Sequence, residues 1–233
     1  MQKYDYDVFV VHCPYFVNFG SAETRISHGS AAIVTEELKR ANLLGTKYVM
    51  THLGSAKILG QELAFDQTKK LLTKTLEEYE GSDALVGVNQ TQFLLEIAAG
   101  AGEIIGDTFE ELAELMEPLT KFKTFGGICF DTQHAFSSGY DLRNAETVNE
   151  TFRKFDTVIG LNYLKMSHIN DSKIELAGRK DRHEHIGEGK IGEGGFEALV
   201  EFFKSEKINI PLILETPPDK VREDIEILKN LRK

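Results

Sequence analysis

Val8-Phe9-Val10-Val11-His12 is a short apolar run that closes on an imidazole, and a run closing on an imidazole or a carboxylate, either of which can bind a metal, returns five more times. It recurs as Tyr48-Val49-Met50-Thr51-His52, Phe93-Leu94-Leu95-Glu96, Ile128-Cys129-Phe130-Asp131, Tyr163-Leu164-Lys165-Met166-Ser167-His168 and Pro211-Leu212-Ile213-Leu214-Glu215. Short runs of apolar or β-branched residues read as buried strands. In a parallel sheet all strand C-termini lie on one face, so the six closing side chains would converge there. One such ending carries little weight. Six in succession point to a site that holds more than one metal ion.

Helical periodicity fills the segments between most of these runs. It extends from Gly29 to Leu44, with Gly45 as the stop, and from Leu59 to Tyr79. Asp107 reads as the N-cap of a helix running to Met116 and closed by Pro118. Further helices read from Ala145 to Ile159, from Phe196 to Lys204 and from Asp219 to Leu231. Alternating strands and helices predict an α/β fold with a parallel sheet. No linker or low-complexity segment interrupts it, so residues 1–233 read as one domain. Six strand–helix units fit a TIM-barrel-like fold, whereas a closed eight-stranded barrel usually takes about 250 residues.

Composition narrows the setting. The chain has 233 residues, 41% of them hydrophobic, which is ordinary for a globular protein. No stretch approaches the roughly 20 apolar residues of a membrane helix. The segment Met1-Gln2-Lys3-Tyr4-Asp5-Tyr6-Asp7 is too polar for a secretory signal, so the cytoplasm is the expected location and no membrane partner is expected. Cys13 and Cys129 are the only cysteines, and a disulfide between them is not expected in a reducing compartment. A net charge of −10 argues, on composition alone, against broad nucleic-acid binding. Bound divalent cations would reverse that sign locally.

Several clusters supply the chemistry. Asp131 ends a strand and His134 follows in what reads as a loop, so the two could feed neighbouring ions. His168 is followed by the small polar loop residues Ile169-Asn170-Asp171-Ser172. Asp181 and His183 stand at i and i+2, which in extended backbone puts both on one face, with Arg182 on the other, towards phosphate. Glu96 and Glu215 end hydrophobic strands, where a carboxylate is costly unless it is paired or metal-bound. Imidazoles and carboxylates without thiolates suit Zn²⁺ or Mn²⁺ in a catalytic site. Gly187-Glu188-Gly189-Lys190-Ile191-Gly192 matches GxGxxG, but it follows a charged loop rather than a strand and carries an acid that would repel a pyrophosphate. It reads as a flexible loop, and His28 and His185 read as surface residues.

Together the motifs resemble the endonuclease IV family of metal-dependent apurinic/apyrimidinic endonucleases. The segment Asp131-Thr132-Gln133-His134-Ala135-Phe136, with Gly139-Tyr140-Asp141, is similar to that family's DT-x-HAF-x-x-GYD signature. His168-Ile169-Asn170-Asp171-Ser172-Lys173, Asp181-Arg182-His183, Glu96-Ile97-Ala98-Ala99-Gly100-Ala101-Gly102 and Leu212-Ile213-Leu214-Glu215-Thr216 resemble its other signatures. The resemblance implies a TIM barrel with three zinc ions, Mn²⁺ being an alternative at one of them. His12, His52 and Glu96 would hold one ion. Glu96 would bridge to a second held by Asp131, His168 and Glu215. His134, Asp181 and His183 would hold the third. The implied activity is cleavage of the phosphodiester 5′ to an abasic site in duplex DNA, leaving a 3′-hydroxyl, together with trimming of blocked 3′ ends. Glu96 and Glu215 would hold the attacking water in line, Arg182 would contact phosphate, and Tyr15 resembles the family's DNA-inserting tyrosine.

One departure follows from the same resemblance. Family members carry roughly two more strand–helix units before the position of His12. Three arrangements are therefore open: an open or tightened six-stranded barrel, two copies paired edge to edge instead of the family's monomer, or a shortened form with weaker DNA grip. Two rival functions are a sugar isomerase or epimerase of the xylose-isomerase-like barrel type, which uses one or two metals, and a non-catalytic DNA-binding remnant.

Overall fold

The computed structural model describes residues 8–82 and 91–233. These form two compact units. The first takes the described residues up to Glu96, with Glu103–Gly106 and Glu111–Ile128. The second takes Ile97–Gly102, Asp107–Glu110 and Cys129–Lys233.

In the first unit, strands β1 (Val10–His12), β2 (Tyr48–Thr51) and β3 (Gln92–Glu96) run parallel, with Val10 opposite Tyr48 and Tyr48 opposite Gln92. The N-terminal part of β4 (Phe125–Asp131) lies beside β3. Every residue of β2 and β4 is buried, as strands covered on both faces require, and this explains why they read as unbroken apolar runs. Helices α1 (Thr24–Leu44) and α2 (Gln61–Glu80) pack on each other. Val34, Leu38 and Ala41 make a buried stripe on α1, matched by Leu72, Leu76 and Tyr79 on α2. Neither helix has a side-chain N-cap, so packing carries them, at about 1.5–3 kcal/mol for each large side chain buried. Helix α1 begins five residues before the expected Gly29. Its first turns hold Ser27, Gly29 and Ser30, which weaken the helical signal, and both serine hydroxyls turn back onto helix carbonyls. Gly45 stops α1 as expected, with φ of +71°.

In the second unit, the C-terminal part of β4 lies beside β5 (Leu164–His168), which pairs in parallel with β8 (Leu212–Ile213), Ser167 opposite Leu212. Between them β6 (Asp171–Ser172) and β7 (His183–Glu184) form a small antiparallel pair. The core is aromatic. Phe109 stacks on Tyr140 with centroids 3.8 Å apart, and Phe152 stacks on Phe202 at 4.8 Å and tilts against Phe130 at 5.0 Å. Such pairs contribute about 0.5–1.5 kcal/mol each beyond the area they bury. Helices α5 (Ala145–Val158), α6 (Glu193–Ser205) and α7 (Val221–Leu231) fall near the expected bounds, α5 behind a capping box of Asn144 and Thr147. Helix α3 (Phe109–Met116) starts differently from the expectation. The Asp107 carboxylate accepts from Arg179 at 2.7 Å, and the Phe109 amide donates to the Tyr140 hydroxyl. Pro118 does not close α3; it sits inside a 3₁₀ turn, Glu117–Leu119, that follows it.

Two loop expectations are corrected. His134 is not in a loop but on a short helix, α4 (Thr132–Ser138). Asp131 caps α4 by accepting the His134 amide at 2.7 Å, and Gly139 closes it with φ of +110°. The glycine-rich segment after His185 is anchored rather than flexible. The fully buried Asp171 carboxylate accepts the amides of Gly187, Gly189, Ile191 and Gly192. Burial raises the Asp171 carboxyl above its usual range, while those amides pull it back down. A Cβ on Gly189 would lie 2.5 Å from Asp171 Oδ1 and from the Ser172 carbonyl, so only glycine fits.

Candidate metal centre

Parallel pairing places the ends of β1, β2 and β3 together in the first unit. His12 closes β1, His52 follows β2 and Glu96 closes β3. Glu96 is fully buried. Its Oε2 lies 2.9 Å from His12 Nε2 and 3.6 Å from His52 Nδ1, and the two imidazole centroids are 5.0 Å apart. One donor atom from each of the three residues falls within 4.8 Å of the others.

The second unit gathers the remaining candidates. Asp131, fully buried, has Oδ2 3.8 Å from His168 Nδ1 and 3.8 Å from His183 Nε2. His168 Nδ1 is 3.2 Å from Glu215 Oε2. Asp181 Oδ1 lies 3.5 Å from His134 Nε2 and 3.4 Å from His183 Nε2. Donor atoms of Asp131, His134 and His183 fall within 4.8 Å of one another. Glu215 stands two residues beyond β8, and its side chain is 31% exposed, which makes it the most open carboxylate next to Asp181.

The hydrogen bonds test whether these groups suit a cation. His12 Nδ1 faces the Cys13 carbonyl at 2.7 Å, His134 Nδ1 the Ile97 carbonyl at 3.0 Å, and His183 Nδ1 the Glu215 carbonyl at 3.2 Å. A carbonyl only accepts, so each of those nitrogens carries the ring proton. In the neutral ring the other nitrogen then presents a lone pair, and in all three cases it faces a carboxylate. The Nε2 of His183 is buried and makes no hydrogen bond. Lone pair facing lone pair is unfavourable unless a proton or a metal cation lies between them, and the 3.4–3.5 Å spacings at His134 and His183 are longer than the 2.9 Å hydrogen-bond distance at His12. A ring nitrogen oriented by a carbonyl on its far side is the usual support for a metal-ligating histidine. The residues fit divalent cations of the borderline kind.

Two supporting residues had no role from sequence. Asn170 is fully buried. It donates from Nδ2 to Asp131 Oδ2 at 2.8 Å and accepts the Glu215 amide at Oδ1 at 2.7 Å, so one side chain orients both acids. An Asn two residues after a strand-ending His was the available signal. His185, expected at the surface, is 5% exposed. Its Nδ1 lies 2.8 Å from Asp224 Oδ2, a carboxylate that also accepts from Thr216 and from the Ile186 amide, and that bond holds the imidazole above its usual pKa. Its partner lies 39 residues away, on α7, where no local pattern reveals it. His28 is exposed, as expected, and both cysteines are buried. Tyr15 is 80% exposed, its ring edge-on to His52 at 5.9 Å, and Arg182 is exposed beside Asp181.

A family described as xylose isomerase-like TIM barrel matches residues 1–231. The probable endonuclease 4 of Nitrosopumilus maritimus is 39% identical over 231 residues, covering 99% of this chain and 77% of that protein. The apurinic-apyrimidinic endonuclease of Caenorhabditis elegans is 38% identical, covering 97% of this chain and 54% of that protein. Among solved structures, endonuclease IV from Thermus thermophilus superposes with a TM-score of 0.77 at 32% identity, covering 95% of this chain and 74% of that one. Epimerase structures match as well, at 22% identity or less, which is a likeness of fold alone. With about a third or more of its residues shared with the endonucleases along almost its whole length, the chain belongs to the endonuclease IV family of xylose isomerase-like TIM barrels.

Proposed function

We propose that this chain is a DNA-repair endonuclease that hydrolyses the phosphodiester 5′ to an abasic site in duplex DNA, leaves a 3′-hydroxyl and trims blocked 3′ ends. We propose further that residues 1–233 act as one catalytic domain. The observation that carries the reading is the shared pattern of His12, His134 and His183. Each has one ring nitrogen committed to a carbonyl and the other turned towards a carboxylate. The relatives most similar in sequence carry endonuclease names, which favours this reading over the sugar isomerase or epimerase.

In this reading His12, His52 and Glu96 hold one zinc ion. Asp131, His168 and Glu215 would hold a second, and His134, Asp181 and His183 would hold a third. When bound, such ions supply a water acidified to a pKa near about 7 and neutralise charge developing on the phosphate. The protein's own groups do the rest. Glu215, partly open to solvent, orients the attacking water in line with the scissile bond and accepts its proton at a carboxylate oxygen. Glu96, fully buried, keeps His12 and His52 oriented. Arg182 presents its guanidinium to a phosphate. Tyr15 enters the gap left by the missing base, where turning the sugar out of the stack costs least.

The reading is tested with a duplex carrying a single abasic site. Expected is one incision, 5′ to the lesion, whose new 3′ end a polymerase extends. Metal-loaded protein that leaves the duplex intact and epimerises ketohexoses would replace it with the rival. Tyr15→Ala addresses DNA engagement. Because the side chain is exposed, stability should change by less than about 0.5 kcal/mol. Losing an aromatic–base contact of about 1–3 kcal/mol should raise KM for the abasic duplex roughly 5- to 150-fold. Steady-state kinetics and a thermal melt check both halves.

A further inference from the structure

We infer that Gln133 is a positioning residue for Asp181 and His183, and thereby sets the affinity of the metal ion those two residues share. The inference rests on their reading as ligands. Gln133 occupies the one position between Asp131-Thr132 and His134 that the resembling signature leaves open. It lies on α4 and is fully buried.

Its amide grips the backbone on both sides of Asp181. Nε2 donates to the Lys180 carbonyl at 3.0 Å, and Oε1 accepts the Arg182 amide at 3.2 Å. The same Nε2 lies 2.8 Å from Ser137 Oγ and 3.4 Å from Ser172 Oγ. Ser137, also fully buried, donates to the Lys180 carbonyl at 2.8 Å. One side chain thus reads a carbonyl and an amide two residues apart, which needs a donor and an acceptor on a single planar group. Glutamate offers no donor and methionine offers neither.

The segment needs such a hold. Residues 177–180 are exposed, and Ala177 and Arg179 adopt left-handed φ of +60° and +53°. Non-glycine residues persist there only when their surroundings fix them. On the far side the β6–β7 pair sets the register, Ser172 opposite His183, with the Lys173 amide donating to the Arg182 carbonyl. Gln133 therefore closes the clip from the helix side, and the 3.4 Å spacing between Asp181 Oδ1 and His183 Nε2 depends on it.

The test is Gln133→Met, similar in length but without hydrogen bonds. Zinc content is measured by elemental analysis and zinc affinity by competition with a chromophoric chelator, alongside the melting temperature of the metal-free protein. Expected is wild-type protein with three ions and Q133M with one of them weakened about 10- to 100-fold, the cost usual for an outer support. The metal-free melts should stay alike. Three ions held equally well in Q133M would overturn the inference and leave the ligand reading intact. Weakening of all three in step with a lower metal-free melt would overturn it too, because that marks a purely structural role. If Asp181→Ala leaves zinc content unchanged, the ligand reading itself falls, and this inference with it. Should Q133M fail to fold, Ser137→Ala removes one of the two donors to Lys180, and the same ion should weaken by a smaller factor; no change there overturns the inference.

Discussion

Asp131→Ala should lower the rate of abasic-site cleavage by at least about a thousandfold, equivalent to roughly 4 kcal/mol of transition-state stabilisation. Asp131 does two jobs at once. Its Oδ1 caps α4 through the His134 amide, and its Oδ2 accepts from Asn170 while facing His168 and His183. The alanine variant loses both. Removing the cap costs about 1 kcal/mol, and the buried Asn170 amide it abandons costs about 1–3 kcal/mol more. Asp131→Asn separates the two jobs. It keeps an oxygen for the His134 amide, so α4 keeps its cap, yet it lacks the charge a cation needs. Both variants should be nearly inactive; both leave Asn170 Nδ2 without its acceptor, because asparagine sets a second NH2 against it, and the alanine form, which loses the α4 cap as well, should melt the lower of the two. Single-turnover cleavage and a thermal melt give the two readings. Cleavage by either variant within tenfold of wild type would remove Asp131 from the catalytic machinery.

That double duty shows what a sequence can and cannot disclose. The strand endings were legible because a parallel sheet buries both faces, so each strand is an apolar run and the first polar residue after it marks the edge. His12, His52, Glu96, Asp131 and His168 were found by that rule, and all lie at or next to a strand end. Asp181 and His183 were found by spacing, and β7 begins at His183. His134 was found as a candidate but misplaced in a loop. A seven-residue helix such as α4 carries too few turns to show a period, and its capping Asp looks the same as a ligand. The last strand is the shortest in its sheet. β8 contains only Leu212–Ile213, both half-buried, because among the described residues it pairs on one side alone, with β5. Hidden altogether were contacts between distant segments. Asn170 to Glu215, His185 to Asp224 and Gln133 to Arg182 span 39 to 49 residues. Each depends on a crossing of the chain that periodicity does not encode.

Stripping divalent ions with a chelator should abolish cleavage and lower the melting temperature, and adding back Zn²⁺ should reverse both. The charge count explains the first effect. The nine proposed ligands are five imidazoles and four carboxylates. Without ions these groups carry about −4 and repel phosphate; three dications would turn that to about +2. A chain of net charge −10 has few other means of drawing a polyanion to its acids. The second effect follows from linkage. Ions that bind only the folded chain stabilise it by about 4 kcal/mol per site at a thousandfold excess over Kd. For a chain of this size one such site is worth roughly 8–16 °C. Glu96 and Asp131 sharpen the expectation, since both are fully buried and an ionised carboxylate there needs a positive partner. Zn²⁺ should restore activity at lower concentration than Mn²⁺, because imidazole-rich sites favour the former. Elemental analysis of the same samples decides the outcome. Full cleavage by protein shown to hold less than one ion per chain would separate the chemistry from the metals, and the roles given to all nine ligands would have to be withdrawn.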